Sequence, residues 1–544
     1  MITVHGKGPL DAKIMVVGEH PYGEELLRFE PFIGSTGQEL TKMLHEAGIA
    51  RTECYLTYVY KHRTPNNDFE KLYLKNTPAN RLAGADLERS IQELKEEIKR
   101  VNPRVIIALG EGALWSLTGN RGITKWRSSL LRDDEGRWII PTYDPVKIMR
   151  MWEWRPIAVH DLRRAARQAV DPVEEPNYDF TVRPSYENVV SHIRELLGKV
   201  RAGPTKLSVD IETRNRHIAC LGIADSSTRA LCIPFMCVER QDGYWDFEEE
   251  FAIVKLLGEL LTHPNARIIG QNFLYDNQYL AKHWGAVIQV WMDTMVTHAV
   301  CFPGTQKGLD YLCSMYLPWY VYWKDESKEW DPKLGEDQLW LYNCKDCVGT
   351  FEVAEILAGL ITHFDLTEPF DFEMSLDRPV LRMMLRGVSV DMKRRDEMMW
   401  ELQDAMQERE AWLESLDLTG GIPLVKSKTA APWYRSPTQQ RKLFYDIYGV
   451  KPVRNKYGKI GVDDDALTEI AKREPLLAPV CDVLQEYRSL GVFLNTFVLA
   501  PLDHDKRLRC SYNLVGTETF RFNSKADAFG YGTNLQNIPS GGEK

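Results

Sequence analysis

The stretch that most constrains this chain is Leu207-Ser208-Val209-Asp210-Ile211-Glu212-Thr213, an apolar run holding two carboxylates one residue apart. Along a strand, alternate side chains share a face. Asp210 and Glu212 therefore project together, while Val209 and Ile211 enter a core. Two acids side by side in an otherwise apolar strand are unfavourable unless something positive neutralises them. A divalent cation does so, and Mg²⁺ or Mn²⁺ takes hard oxygen ligands. The other reading is a solvated strand end.

Two further stretches bear on that choice. Gly270-Gln271-Asn272-Phe273-Leu274-Tyr275-Asp276 follows the apolar Arg267-Ile268-Ile269 and predicts a strand end, then a helix with Asp276 near its start. Leu339 to Asp346 predicts a helix on which Tyr342 and Asp346, at i and i+4, share a face. Taken singly, Tyr342 reads as a core aromatic and Asp346 as a surface acid. Acids at Asp210, Glu212, Asp276 and Asp346, with a tyrosine one turn before the last, form a stronger pattern. Cys344 and Cys347 make a C-x-x-C on the same helix, but no second pair has zinc-like spacing, so they read as packing residues.

In order and spacing, Asp210-x-Glu212, Asn272-x₃-Asp276 and Tyr342-x₃-Asp346 resemble the three exonuclease motifs of the proofreading domain of family A DNA polymerases. The resemblance covers about 175–360 and implies a ribonuclease H-like α/β fold of the DnaQ type and 3′→5′ exonuclease activity with two divalent cations. It further implies that Asp210, Glu212 and Asp346 hold the metals and that Asp276 supports the second one, directly or through water. Tyr342 would orient the attacking water, and Asn272 would lie near the substrate. Two cations bridging a scissile phosphate activate a water and stabilise the leaving oxygen.

At 544 residues the chain is too long for one core, and three or so domains are expected. No apolar run approaches the roughly 20 residues that span a membrane, and the N-terminus has no signal-peptide pattern. Ten scattered cysteines suggest reduced thiols in a cytosol-like compartment, the bacterial host cytoplasm if the chain is phage-encoded. A net charge of −9 does not advertise a nucleic-acid binder, but its distribution does. Between Gly421 and Ile460 lie nine basic residues (Lys426, Lys428, Arg435, Arg441, Lys442, Lys451, Arg454, Lys456, Lys459) and one acid, Asp446, a net +8. Interleaved aromatics, Trp433, Tyr434, Phe444, Tyr445, Tyr448 and Tyr457, suit a phosphate backbone; a solvated loop is the alternative.

Residues 1–170 alternate buried strands (Ala12–Glu19, Cys54–Tyr60, Arg104–Gly110) with helices (Thr36–Gly48, Leu87–Arg100), which predicts a three-layer α/β domain. Gly18-Glu19-His20-Pro21, Pro31 to Leu40, Ile107-Ala108-Leu109-Gly110 and Thr142-Tyr143-Asp144-Pro145 resemble the uracil-DNA glycosylase superfamily, nearest its iron–sulfur family. The resemblance puts Glu19, Tyr58 and Asp144 in a glycosylase-like pocket. Cys54 is the only cysteine before residue 170, so that family's four cluster ligands are missing and no iron–sulfur cluster is expected. Tyr58 stands where the family's uracil-reading Asn belongs, and Asp144 where its His belongs. Both argue for a retained fold with a binding or structural role rather than ordinary uracil excision. Lys61, His62 and Arg63 remain candidates for DNA phosphates.

Asp171 to Pro176 reads as a linker to the exonuclease-like domain, 175–362. There Ala219–Ala224 and Ala230–Pro234 are expected to pair with the Asp210 strand, and Glu248–Thr262 to be helical. Asp293 is expected at the start of a helix, favouring its dipole. The insertion Trp319–Trp330 either stacks on frayed primer bases or packs under the last helix. From 365 to 544 the pattern is mostly helical, with helices expected over Glu373–Arg386, Lys393–Leu416, Asp463–Lys472 and Pro479–Phe497. Gly387-Val388-Ser389-Val390-Asp391, Ser436 to Phe444, Thr517 to Ser524 and Asn534-Leu535-Gln536-Asn537-Ile538-Pro539 resemble elements of the family A polymerase thumb and the start of its palm. By that resemblance Arg521, Asn534, Gln536 and Asn537 contact primer and template. Asp463-Asp464-Asp465 reads as helix capping.

No acids matching the family's palm metal ligands occur before Lys544. The expectation is a proofreading exonuclease part of a phage-type family A replicative polymerase. It would act on primer–template and single-stranded 3′ ends, and DNA synthesis would need a partner chain with the rest of the palm and the fingers. The alternatives are a non-catalytic DNA-binding or assembly subunit, and a base-excision enzyme acting through the first domain.

Overall fold

The computed structural model describes residues 2–539 except 65–66, 73–77, 241, 332, 334, 417, 419–423, 425–430 and 456–457. Two compact units result: Met1–Asp377 with Thr517–Arg521, and Arg378–Gly516 with Phe522–Lys544. The glycosylase-like and exonuclease-like regions thus pack within one unit.

The first sheet is built from β1 (Ile14–Gly18), β2 (Cys54–Tyr58), β3 (Val105–Leu109), β4 (Leu131–Arg132) and β5 (Trp138–Thr142), in the order β2-β1-β3-β5-β4. All pairs are parallel except β4–β5. β2, β3 and β5 are buried along their whole length, as expected of parallel strands covered on both faces. The Ser35–Glu46 and Arg155–Val170 helices cover one face with a core that includes Leu40, Leu44, Leu162 and Ala165. The Pro78–Val101 helix covers the other through Leu87, Leu94 and Ile98. That helix begins well before the expected Leu87.

The second sheet contains β6 (Asp179–Thr181), β7 (Thr205–Arg214), β8 (His217–Ala224), β9 (Arg229–Pro234), β10 (Ala266–Gly270) and β11 (Val290–Asp293), in the order β11-β10-β7-β8-β9-β6. β7 runs parallel to β10 and antiparallel to β8. β9 pairs with β8 and β6, not with the Asp210 strand as expected from sequence. The tight Asn215-Arg216 turn, both residues at positive φ, commits β7 to β8, and β9 then takes the free edge of β8. The Asp337–His363 helix lies across β7, β8 and β9.

In the second unit the Met392–Ser415, Asp464–Arg473 and Ala478–Phe493 helices enclose Leu413, Phe444, Leu467, Ile470 and Leu484. Asp463 caps its helix by accepting from Ala466 N at 3.0 Å, the role expected of that acidic run. The expected Glu373–Arg386 helix is instead two, Thr367–Ser375 and Asp377–Arg386. Pro379 has no N–H for the carbonyl four residues back, so the ladder breaks at Leu376. β12 (Val388–Ser389) pairs with β13 (Arg507–Leu508), and β14 (Ser511–Asn513) with β15 (Asn523–Lys525).

Candidate active site

The period-two reading of β7 holds: Val209 and Ile211 are buried in the core, while Asp210 and Glu212 share the opposite, half-buried face. Asp346 reaches the same place from the Asp337–His363 helix. One oxygen of each of the three carboxylates lies within 4.8 Å of the others. Among the described residues this is the one group of three or more His, Cys, Asp or Glu side chains so arranged. Burial, then the Asp346 charge, pushes the Asp210 carboxyl up to about 7. Burial, then Asp210 and Asp346, pushes Glu212 well above the ordinary range. Groups in this condition call for a cation.

How the helix comes so close is a matter of one glycine. Gly222 on β8 stands opposite Asp210. A Cβ there would lie 2.4 Å from Asn343 Oδ1 and 2.6 Å from Cys347 Sγ. The bare backbone lets Asn343 Nδ2 donate to Asp210 Oδ2 at 2.8 Å and to Asp210 O at 3.2 Å. Cys344 and Cys347 are fully buried beside Trp340, Cys220 and Cys232 in one apolar cluster, in keeping with a packing role.

Asp276 is buried in the first turn of the Leu274–Trp284 helix. Its Oδ1 accepts from Ile211 N at 2.9 Å, so it stands at the edge of β7, past the end of the pairing with β10, and is not one of the three grouped carboxylates. Burial, then the Asp210 charge, pushes it well up. Asn272 is exposed at a left-handed φ of 57°, a conformation asparagine tolerates. Asp293 fixes that turn: its carboxylate accepts from Asn272 N at 3.1 Å and Phe273 N at 2.7 Å while capping the Thr294–Cys301 helix through Met295 N at 2.9 Å. It is the helix N-cap, and it also ties that helix to the Asn272-x₃-Asp276 stretch.

Tyr342 is buried, and its hydroxyl accepts from Lys324 Nζ at 3.0 Å. Burial, then the Asp346 charge, holds the phenol well above its ordinary value, so the hydroxyl keeps its proton. Lys324 also donates to Asp346 Oδ2, and Trp323 Nε1 donates to Asp346 Oδ1 at 2.7 Å. Neither residue was singled out from sequence; only the aromatic richness of their segment drew notice. That segment packs rather than presenting rings to solvent: Tyr320, Tyr322 and Trp323 are buried in one cluster with Tyr342.

In the first domain Glu19 Oε1 accepts from Gly112 N at 2.8 Å. Tyr58 is buried; its hydroxyl accepts from Phe32 N at 3.0 Å and its ring centroid lies 4.6 Å from that of Phe32. Asp144 caps the Pro145–Arg150 helix, accepting from Val146 N at 2.7 Å, and burial pushes its carboxyl up to about 6. Lys61 is withdrawn from DNA, against expectation. It is buried and paired with Glu97 at 2.6 Å, with Tyr58 O at 2.9 Å. His62 contacts Ile2 O at 2.9 Å and Arg63 Nε donates to Asn67 Oδ1 at 3.0 Å.

In the second unit Asn534 Oδ1 accepts from Ser524 Oγ at 2.6 Å and Gln536 N at 3.1 Å. Gln536 Nε2 donates to Phe522 O at 2.9 Å, and Gln536 and Asn537 are exposed. Arg521, exposed in the Thr517–Arg521 segment of the first unit, donates from its N–H to Thr517 Oγ1 at 3.0 Å. Of the basic segment, Lys426, Lys428, Lys456 and Tyr457 lie outside the described residues. Arg441, Lys451, Arg454 and Lys459 are exposed, and Arg435 pairs with Glu410. Its aromatics depart from expectation: Tyr434 and Phe444 are core residues, with Trp433 and Tyr445 packed on them. Their rings close the helical core; of the segment's described aromatics Tyr448 alone is exposed beside the cations.

A carboxylate cluster where a mixed sheet meets a long helix, joined to a largely parallel α/β domain, is the arrangement of an exonuclease-type fold beside a glycosylase-type fold. The uracil DNA glycosylase superfamily matches residues 5–167, and the 3′-5′ exonuclease family of A-type DNA polymerases matches 189–361. A Type-4 uracil-DNA glycosylase of Thermotoga maritima is 36% identical across 30% of this chain and 81% of its own length. A DNA polymerase of Bacillus phage SP01 is 23% identical across 95% of this chain, which spans 62% of that protein. DNA polymerase I of Synechocystis sp. is 25% identical across 53% of this chain and 28% of its own length. Through its first domain the chain belongs to the uracil-DNA glycosylase superfamily, and beyond it the chain is a homologue of family A DNA polymerases carrying their 3′-5′ exonuclease domain.

Proposed function

We propose that the chain removes nucleotides from DNA 3′ ends with two divalent cations, Mg²⁺ or Mn²⁺, as the proofreading part of a replicative polymerase. The convergence of Asp210, Glu212 and Asp346 within one cluster supports this reading. Three crowded acids, Asp210 and Glu212 half-buried and raised by burial and by neighbouring carboxylates, Asp346 buried beside them, suit hard cations. Asp210, Glu212 and Asp346 would hold them, with Asp276 supporting from the edge of β7. When bound, the cations polarise the scissile phosphate, lower the pKa of a water and stabilise the leaving 3′ oxygen. The chain's own groups do the positioning. Asn343 fixes the Asp210 carboxylate. The protonated Tyr342 hydroxyl orients the water, and exposed Asn272 meets the terminal nucleotide. Arg521, Asn534, Gln536 and Asn537 would contact primer and template. Palm acids for synthesis would come from residues outside these 544, in the same polypeptide or another. Action on phage or bacterial DNA would place the protein in the bacterial cytoplasm.

The test is a 5′-labelled primer–template with Mg²⁺, beside Asp210→Ala. A descending ladder lost in the variant supports the reading, by a factor on the order of 10³ if a metal ligand is removed. No ladder from the parent on single- or double-stranded DNA refutes it and favours a binding subunit. For the first domain, the Tyr58 ring on Phe32 favours a binding or structural role. Release of uracil from DNA, abolished by Glu19→Ala, would overturn that.

A further inference from the structure

The segment that brings Lys324 to the nuclease centre is held by the glycosylase-like domain. Leu130 N donates to Tyr320 O at 2.8 Å, and Tyr322 N donates to Ser129 Oγ at 3.1 Å. Arg164 Nη2 donates to Leu317 O at 2.7 Å. Next to Lys324 in sequence, Asp325 pairs with Lys125 of the first domain at 2.8 Å. At the other end of this linkage Lys324 Nζ contacts Asp346 and, at 3.0 Å, the Tyr342 hydroxyl. A primary ammonium therefore sits on one of the three clustered carboxylates.

We propose that Lys324 is a built-in competitor for the divalent cation, and that the glycosylase-like domain sets how firmly it competes by anchoring its segment through Leu130, Ser129 and Lys125. The inference rests on the metal-dependent exonuclease reading. An ammonium on the Asp346 carboxylate and a divalent cation at the same cluster would repel one another at short range. Lys324 held in place would therefore oppose metal loading, and anything that loosens its segment would favour it. In this scheme the first domain acts on the nuclease through the segment that carries Lys324. Lys324 is a positioning residue in this scheme, working through Asp346 and Tyr342.

The experiment is Mn²⁺ binding to the full chain, measured by electron paramagnetic resonance without DNA. The Lys324→Met variant is expected to bind roughly tenfold more tightly or better, since one unit positive charge leaves the site, and Lys324→Arg is expected to stay near the parent. Lys125→Glu, which lies wholly in the first domain, is expected to tighten binding a few-fold, roughly. The charge swap Lys125→Asp with Asp325→Lys is expected to restore the parent value, separating loosening of the segment from a change in net field. Unchanged affinity in Lys324→Met, while Asp210→Asn abolishes Mn²⁺ binding, overturns the competitor role and leaves the nuclease reading standing. Mn²⁺ binding insensitive to Asp210→Asn overturns the nuclease reading itself. Tightening in Lys324→Met but none in Lys125→Glu overturns the control by the first domain.

Discussion

The ion pair Arg127–Asp161 offers a sharp test of how the first two domains are joined. Asp161 is fully buried in the Arg155–Val170 helix, and Arg127 is nearly so. Arg127 Nε donates to Asp161 Oδ2 at 2.9 Å and a second nitrogen to Oδ1, while Nη1 crosses to Ser314 Oγ at 2.7 Å. Thr142 Oγ1 completes the carboxylate at 2.8 Å. Removing one partner of such a pair costs about 3–5 kcal/mol, because the other charge stays buried and unpaired. After Arg127→Leu, His160 Nδ1 still stands 3.8 Å from Asp161 and Arg164 lies close. The expected loss is therefore at the low end, about 3 kcal/mol. Replacing both residues by leucine removes both charges together and should leave stability within about 1–2 kcal/mol of the parent. The pH dependence follows from the carboxyl. Burial alone would raise Asp161, but Arg127, His160 and their hydrogen bonds hold it below its ordinary value. In the parent it contributes stability that is present above the unfolded pKa and lost as pH falls through the folded one. In Arg127→Leu the folded pKa moves above the unfolded one, so the penalty is full at pH 8 and shrinks towards about pH 4. Urea unfolding at both pH values, followed by intrinsic tryptophan fluorescence, measures it. Additive single losses in the double variant, or a penalty flat with pH, would refute the reasoning.

Three more outcomes follow from particular contacts. Asp144→Asn keeps the cap acceptor for Val146 N but removes a carboxyl raised to about 6. Stability carried by the parent carboxyl falls as pH rises from its unfolded value through about 6. The variant should thus gain about 2 kcal/mol at pH 8 after allowance for partial exposure, and nothing at pH 4, in denaturant titrations. Gly222→Ala places a methyl against Asn343 and Cys347. It should lower exonuclease rate about tenfold or more by displacing the helix that carries Asp346, with the overall fold retained by circular dichroism. Lys61→Met removes the partner of Glu97 without exposing or burying a DNA contact. It should lower stability by about 1–3 kcal/mol and leave DNA affinity and its salt dependence unchanged in filter binding.

What the sequence disclosed depended on whether the partners of a residue lay along one element. Asp210 and Glu212 were legible because a strand repeats every two residues, and Tyr342 and Asp346 because a helix returns after four. Their convergence, by contrast, depends on Gly222, whose need for a bare backbone arises only where β8 meets a helix some 120 residues on (to Asn343). The misreadings share a cause. Lys61-His62-Arg63 reads as a phosphate grip until Glu97, on a helix brought in from elsewhere, takes Lys61 inside. The aromatics among the basic residues of 421–460 read as part of a surface for a phosphate backbone until three helices close over Tyr434 and Phe444. In each case local charge suggested a surface, and a distant element turned that surface into interior. Lys324 is the inverse case. Nothing within ten residues marks it, since its place is set by backbone bonds to Ser129 and Leu130 in another domain. A cation held at a carboxylate by a segment anchored on a neighbouring domain is a tertiary feature, carried by contacts between elements far apart in sequence rather than by any local motif.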